Sequence, residues 1–188
     1  MARDFAVEPV NKVRRADRAV EDDAWIRAML HHAAVGTVAT VYEGQPFVNA
    51  NLFVYDEPSH TIFMHTARLG RTQANITRDE KVCFTVNTIG RLLPADIAFE
   101  FSVEYSGVVV FGRGSIIAEE EQAMSALQLL LNKYFPHLKP GRDYRPPVHE
   151  EMARTAVYAI QIHSWSGKKK EVAPDFPGAF YYPYQDTN

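Results

Sequence analysis

The densest set of side chains that could do chemistry lies in the segment His65-Thr66-Ala67-Arg68-Leu69-Gly70-Arg71-Thr72. A predicted strand ends there in a histidine and a hydroxyl, and two arginines and a glycine lead into a predicted helix. Helix starts offer unpaired backbone N–H groups and a partial positive charge, so they attract anions. Arg71 could hold phosphate oxygens as a fork, and Thr72 could donate a hydrogen bond. The segment therefore allows a phosphate site. On residue types alone, two solvated arginines near a helix start explain it better, because no glycine-rich phosphate motif is present.

Two amides, Asn49 and Asn51, share one face of a strand predicted over 47–55. A side-chain amide both donates and accepts, which suits a planar heterocycle at the rim of a barrel. The alternative is that this face is simply exposed to solvent. Three aromatic side chains on the same face favour partial burial: Phe47, Phe53 and Tyr55.

A third candidate, Trp165-Ser166-Gly167-Lys168, closes the last predicted strand. An indole beside a glycine turn can flank a ring-shaped ligand, and the lysine can meet an anion. A core tryptophan followed by a basic turn explains the same residues.

Several other chemistries lack support in the sequence. The neighbouring His31 and His32 do not share a helix face, and no histidines have the HExxH spacing of a metal site. The single cysteine, Cys83, excludes an internal disulfide framework and a cysteine-rich zinc site. No GxSxG motif and no GxGxxG motif before a helix is present, so hydrolase and Rossmann classes are not indicated.

The elements that must position these residues are mostly strands. Strands are predicted over 35–42, 47–55, 61–66, 81–87, 101–117 and 155–165, and helices over 24–33, 71–76, 119–134 and 148–153. The residues 88–100 are predicted to be a loop, and 101–117 the longest strand, with bends at its glycines. The antiparallel order without βαβ alternation predicts a barrel-containing α+β domain.

Length and composition limit the class of protein. The 188 residues suit one domain over 22–170, with an N-terminal arm over 1–21 and an aromatic tail over 171–188 that could dock on another surface. A net charge of −3 argues against a nucleic-acid partner. No apolar run approaches the ~20 residues of a membrane span. The polar N-terminus is not a signal peptide, so a cytoplasmic location is expected.

Four segments resemble the FMN-binding split-barrel superfamily that includes the pyridoxamine 5′-phosphate oxidases, and within it the 5-nitroimidazole resistance (Nim) proteins. They are DDAWIRAML leading into VGTVATVYEGQPFVN, IFMHTARLGRTQANI, IGRLLPADIAFEFSVEYSGVVVFGRGSII, and RTAVYAIQIHSWSGKK. The resemblance covers roughly residues 22–170. It implies a mainly antiparallel six-stranded split β-barrel with peripheral helices, forming a homodimer with FMN at the interface.

The resemblance also implies roles for the candidate residues. Arg71, Arg68 and Gly70 would meet the FMN phosphate, and Thr66 the ribityl chain. Asn49 and Asn51 would lie near the isoalloxazine ring.

Further residues would complete the cofactor site. Ser106, Trp165 and Lys168 would close it, from the same chain or from the partner subunit. His65 matches a histidine that faces the flavin in Nim proteins, where it could donate protons.

The expected function is that of an FMN-dependent oxidoreductase, with a reduced nicotinamide or another electron donor and a small-molecule acceptor, such as a nitro group. WSGKKKEV stands where true pyridoxamine phosphate oxidases carry an arginine-and-histidine signature, so oxidation of pyridoxamine phosphate is not expected. Two alternatives remain open. One is a flavin- or haem-binding store, sensor or electron carrier, and the other a structural barrel with an empty site.

Overall fold

Strands form the framework of the protein in the computed structural model, which describes Asp4 and residues 6–182. The strands are β1 (Ala19–Val20), β2 (Gly36–Tyr42), β3 (Gln45–Asn51), β4 (Phe53–Asp56), β5 (Thr61–Ala67), β6 (Lys81–Leu93), β7 (Ser102–Ile116), β8 (Thr155–Lys170) and β9 (Phe180–Tyr181). The α-helices are α1 (Asp23–His32), α2 (Arg71–Arg78), α3 (Glu120–Tyr134) and α4 (His149–Met152), and short 3₁₀ turns occupy Ala16–Arg18 and Ala98–Glu100.

The sheet closes because one bent segment supplies both of its edges. The strand order is β3-β2-β6-β7-β8-β5-β4, and each neighbouring pair is antiparallel. The edge strands β3 and β4 are consecutive in the chain and are separated only by Leu52. Counted as one bent strand, they make six strands in the barrel, so the predicted α+β split barrel is confirmed.

The break at Leu52 corrects the prediction of one strand over 47–55. The side chain of Asn51 fixes the break. Its Oδ1 accepts a hydrogen bond from the Leu52 N–H at 3.0 Å, and its Nδ2 donates to the backbone oxygen of His65 at 2.7 Å. One amide thus ties the bend in the edge segment to the neighbouring strand β5.

The barrel core follows the alternation of the strands, with Phe84 and Val110 among its fully buried side chains. Helix α1 covers one end through Ile26 and Leu30. Asp22 caps its start, because Asp22 Oδ1 accepts a hydrogen bond from the Ala24 N–H at 2.9 Å.

Helices α2 and α3 cover two different parts of the barrel. Helix α2 packs against β2, β3 and β7, where the buried Asn75 donates to Thr40 Oγ1 at 2.9 Å. Helix α3 packs over β4, β5 and β8 and buries Ala126 against Phe63. Strand β5 is therefore covered on both faces.

Among the described residues, no helix combines the length and the apolar character needed to cross a bilayer.

Two sequence predictions about the strands β6 to β8 are wrong. The predicted loop over 88–100 is strand as far as Leu93, because β7 continues to pair with β6 beyond an irregularity after Ile89. Strand β8 runs to Lys170, and its 16 residues make it longer than the 15 of β7.

Part of the tail docks on the barrel of its own chain, since β9 pairs with β6. Residues 183–188 lie outside the described residues. Of the predicted glycine bends, Gly112 coincides with a register shift between β7 and β8.

Candidate functional site

The end of β5 and the start of α2 form an anion corner, defined here as Thr66, Arg68, Gly70 and Arg71. Gly70 is the N-cap residue in extended conformation, and no side chain caps the helix. The N–H groups of the first turn are therefore available to a ligand. Arg71 is exposed, and no other residue in the described part of the chain forms an ion pair with it. The corner offers backbone dipoles and an unpaired guanidinium to the same anion.

Two members of the anion corner already have protein partners. Arg68 Nη1 donates to the backbone oxygen of Met152 at 3.1 Å, which leaves its other N–H groups for a ligand. Thr66 Oγ1 donates to the Ala67 backbone oxygen at 2.8 Å and lies 2.9 Å from the hydroxyl of the buried Tyr158. The threonine is therefore positioned by the barrel wall.

The two predicted amides hold elements together at the same end of the barrel. Asn49 Nδ2 donates to Thr72 Oγ1 at 3.3 Å, which links β3 to the first turn of α2. Both Asn49 and Asn51 are half-buried, so the solvent-exposed alternative for this face is wrong. The expectation that Thr72 donates to a phosphate is also wrong. The side chain is only 4% exposed because it turns into the interface of α2 with the barrel.

His65 and Thr66 point to opposite faces of β5, as neighbours in a strand must. His65 faces a cavity of about 420 Å³ between α3 and the segment before β8 that contains α4. We call it the His65 cavity; its apolar wall is formed by Leu52, Leu127, Leu130, Leu131, Tyr134 and Phe135. Nδ1 of His65 is buried and has no hydrogen-bond partner within the described residues. The unpartnered Nδ1 atom of His65 is thus a polar group beside a largely apolar cavity.

Burial lowers the pKa of His65 below its ordinary value of 6.5. The imidazole is therefore neutral near pH 7 and presents a nitrogen lone pair more readily than a proton. This favours a ligand or base at this position over the proton donor that the resemblance implied.

The sequence pattern did not reveal that α3 lines a cavity. The predicted helix has Leu127, Leu131 and Tyr134 at helical spacing, which indicates an apolar stripe but not whether it is filled or open. The Tyr134 hydroxyl is fixed by three backbone groups: it lies 2.8 Å from the Ala34 oxygen, 2.9 Å from the Phe53 oxygen and 3.0 Å from the Phe53 nitrogen. Arg154 and Glu151 at the rim gave no sequence signal.

Ser106, Trp165 and Lys168 form a distal group that one chain does not bring to the anion corner. His65 pairs with Val157, and Trp165 lies eight residues further along β8, roughly 26 Å away at the usual strand rise. Its indole N–H donates to Asp23 Oδ1 at 2.8 Å, and the ring packs edge-on against His60. The explanation as a partly buried core tryptophan therefore fits within one chain.

The other two members of the distal group lie beside Tyr105. Lys168 Nζ lies 5.3 Å from the centre of the Tyr105 ring, and Ser106 is in register with Lys169. A groove of about 390 Å³ runs here between β6–β8 and the N-terminal arm; Lys12, Arg14 and Lys168 supply its positive charge. We call it the distal groove.

The closed antiparallel sheet with its few peripheral helices places the chain among the α+β split barrels. The profile of the pyridoxamine 5′-phosphate oxidase family matches residues 22–169. The chain belongs to that family. No protein among curated sequences matches it.

Solved structures show the same fold. The flavocytochrome Anf3 from Azotobacter vinelandii superposes with a TM-score of 0.77 at 24% identity, over 93% of this chain and 85% of that one. The FAD and heme binding protein from Mycobacterium smegmatis gives 0.73 at 22% identity, over 84% and 76%. A candidate 5-nitroimidazole antibiotic resistance protein from Bacteroides thetaiotaomicron gives 0.64 at 20% identity, over 81% and 90%.

Proposed function

We propose that this protein is a flavin-dependent oxidoreductase that holds the phosphate of FMN at the anion corner. The observation that carries the proposal is the uncapped start of α2, with the unpaired Arg71 as its first residue. A dianionic phosphate would accept hydrogen bonds from the free N–H groups of the helix start and from the guanidinium of Arg71. Bound FMN would supply the redox chemistry, passing electrons from a donor to an acceptor.

The residues of the chain would bind and orient the cofactor. Arg71 and Arg68 would fix the phosphate, and Thr66 would face the ribityl chain. Asn49 and Asn51 would act through their hold on α2 and on the bend at Leu52, since both amides already donate to protein groups. Their roles would thus be in positioning.

We further propose a reduced nicotinamide as the electron donor and a nitroaromatic compound as one acceptor, in a cytoplasmic protein. The support is the resemblance to Nim proteins. The test is a visible spectrum of the freshly purified protein, followed by addition of FMN and an assay of nicotinamide oxidation with and without a nitroimidazole. Oxidation proportional to the acceptor supports an enzyme. Bound flavin without turnover supports a flavin carrier or store instead, and no bound flavin after FMN addition contradicts the proposal.

The flavin site is proposed to lie at the interface of a homodimer. Within one chain, Lys168 and Trp165 lie too far along β8 to reach a flavin held at Arg71. In a dimer they could meet the flavin of the partner. Two variants that should each weaken FMN binding, Arg71→Ala and Lys168→Ala, test this when they are unfolded and refolded together. Mixed dimers should regain one intact site in two. If the mixture binds no more FMN than either variant alone, each chain builds its own site.

A second candidate function is haem binding, and the His65 cavity favours it. A buried, unpartnered imidazole nitrogen beside an apolar space is the environment that a proximal histidine gives to haem iron. Arg154 at the rim could meet a propionate. Two of the structural neighbours are named as a flavocytochrome and as an FAD and heme binding protein. Titration with hemin should give a Soret band that His65→Leu abolishes. An unchanged band in that variant would exclude His65 as the ligand.

A further inference from the structure

A short segment before β8 covers one side of the His65 cavity. It contains the single-turn helix α4, and it contributes four residues to the wall of the cavity: Pro147, Glu151, Met152 and Arg154. The rest of the wall belongs to the barrel, the bend at Leu52 and α3. We call residues 145–154 the cover segment. Because it forms one whole side of the cavity, its movement would open the cavity to solvent.

The cover segment is held weakly in comparison with the barrel. No residue of α4 is buried, although Met152 packs partly against the apolar cluster between α3 and the barrel. Two ion pairs involve the segment, Arg145 with Glu151 and His149 with Glu120, and both lie at the surface, where such pairs contribute little to stability. A segment with few buried contacts opens more readily than the core of a protein.

Arg68 ties the cover segment to the anion corner through two hydrogen bonds. Its backbone N–H donates to the Arg154 backbone oxygen at 3.1 Å, which continues the pairing of β5 with β8. Its guanidinium Nη1 donates to the Met152 backbone oxygen at 3.1 Å. The second bond reaches α4 itself and depends on where the guanidinium lies. It is therefore the bond that a ligand at the anion corner can strengthen.

The guanidinium of Arg68 can hold a phosphate and the cover segment at the same time. It has five N–H donors in one plane, and the bond to Met152 uses one of them. Among the residues that the structure describes, none forms an ion pair with Arg68. The remaining donors can therefore pair with phosphate oxygens, beside Arg71 and the start of α2.

The direction of the effect follows from the side-chain freedom of Arg68. When the cover segment is closed, the bond to Met152 already holds the exposed guanidinium beside the anion corner. When the segment is open, the guanidinium loses that bond and must be ordered by the phosphate alone, at a cost in side-chain entropy. A phosphate thus binds the closed state more tightly, and a ligand shifts an equilibrium towards the state that it binds better.

We propose that the cover segment closes the His65 cavity when a phosphate group occupies the anion corner, and that Arg68 fastens it there. The coupling rests on the proposed function, because it needs a phosphate at the anion corner. It is reciprocal: phosphate favours closure, and closure raises the affinity for phosphate by the same factor. A ligand of the cavity should therefore enter before the phosphorylated cofactor binds.

Hydrogen–deuterium exchange of the full chain tests the coupling in peptides that span the cover segment. Exchange is compared in sodium chloride, in inorganic phosphate at the same ionic strength, and with FMN. Inorganic phosphate is too small to shield the segment by itself, so protection by phosphate reports on the contact through Arg68. We expect phosphate and FMN each to slow exchange of the cover segment about fivefold or more. Exchange of α3 should not change.

Two variants separate the contact through Arg68 from general loosening of the cover segment. Arg68→Ala should speed exchange and remove the protection by phosphate, although Arg71 still binds the anion. Arg145→Ala is the matched control, because it removes a bond to Glu151 of 2.7 Å within the segment. It should speed exchange but keep the slowing by phosphate. Each variant is studied at saturating FMN, as judged by quenching of FMN fluorescence.

A wild-type protein that binds FMN but exchanges the cover segment equally fast with and without it overturns the coupling and leaves the proposed function intact. Protection that survives in Arg68→Ala also overturns it, since another contact then carries the effect. If neither FMN nor phosphate binds, the proposed function fails and the coupling fails with it.

Discussion

Replacing Arg71 with alanine should weaken FMN binding about ten- to a hundredfold. Hydrogen bonds to charged groups contribute about 1.5–3 kcal/mol, and each 1.4 kcal/mol is a factor of ten in affinity. The exposure of Arg71 places the expected loss in the lower half of this range. The fold should not change, since the side chain has no ion pair among the residues that the structure describes. The assay is quenching of FMN fluorescence by the apoprotein.

Two control variants lie on the same helix. Arg71→Lys keeps the charge without the fork and should lose less than alanine does. Arg78→Ala removes an arginine from the last turn, where its guanidinium bonds to the Ala74 oxygen, and should leave FMN affinity unchanged. If Arg71→Ala binds FMN as tightly as the wild type, the anion corner does not hold the phosphate.

Three further predictions concern stability and pH. Burial lowers the pKa of His65 in the folded protein, so the unfolded chain takes up the proton first as the pH falls. The free energy of unfolding should therefore decrease as the pH falls below 6.5, the ordinary pKa of histidine. In urea unfolding, His65→Leu should not show this decrease. Asn51→Ala should cost about 1–3 kcal/mol in urea unfolding, and more than Asn49→Ala, because it removes both bonds at the bend. Arg91 and the Val172 N–H hold the pKa of Glu104 at about 2, so proteolysis of the tail should stay slow above pH 4.5 and accelerate as pH falls towards 2. Arg91 also donates to the backbone oxygens of Val172, Ala173 and Pro174 in the tail. A tail cleaved equally fast throughout would show that the Arg91–Glu104 ion pair does not hold it.

Much of the barrel could be predicted because local pattern and final structure agree. The helix α1 has its apolar residues at helical spacing and an aspartate at its cap, and both signals act within a few residues of the chain. The loop predicted over 88–100 failed for the opposite reason. Gly90 and Pro94 are local signals for a turn, but pairing with β7 and β9 extends β6 to Leu93. The length of such a strand is set by pairing with residues that are distant in the sequence.

In the candidate site, too, features set by neighbouring residues could be predicted and features set by distant ones could not. The anion corner was predictable, because a strand end, a glycine and an arginine at a helix start are contiguous in the chain. The inward turn of Thr72 depends on how α2 sits against β3, which no local pattern gives. The His65 cavity exists because the space between α3 and β5 is not filled. The spacing of apolar residues along a helix does not show whether such a space is filled or open.

Strand β5 explains how one short segment could serve two different ligands. Its alternation sends His65 under α3 and Thr66 to the barrel side, while its end leads directly into the uncapped start of α2. A cofactor at the anion corner and a ligand in the His65 cavity would therefore be separated by little more than the thickness of one strand. Because Asn51 bonds to the His65 oxygen and Asn49 to Thr72, the bent edge segment fixes the spacing between the two places.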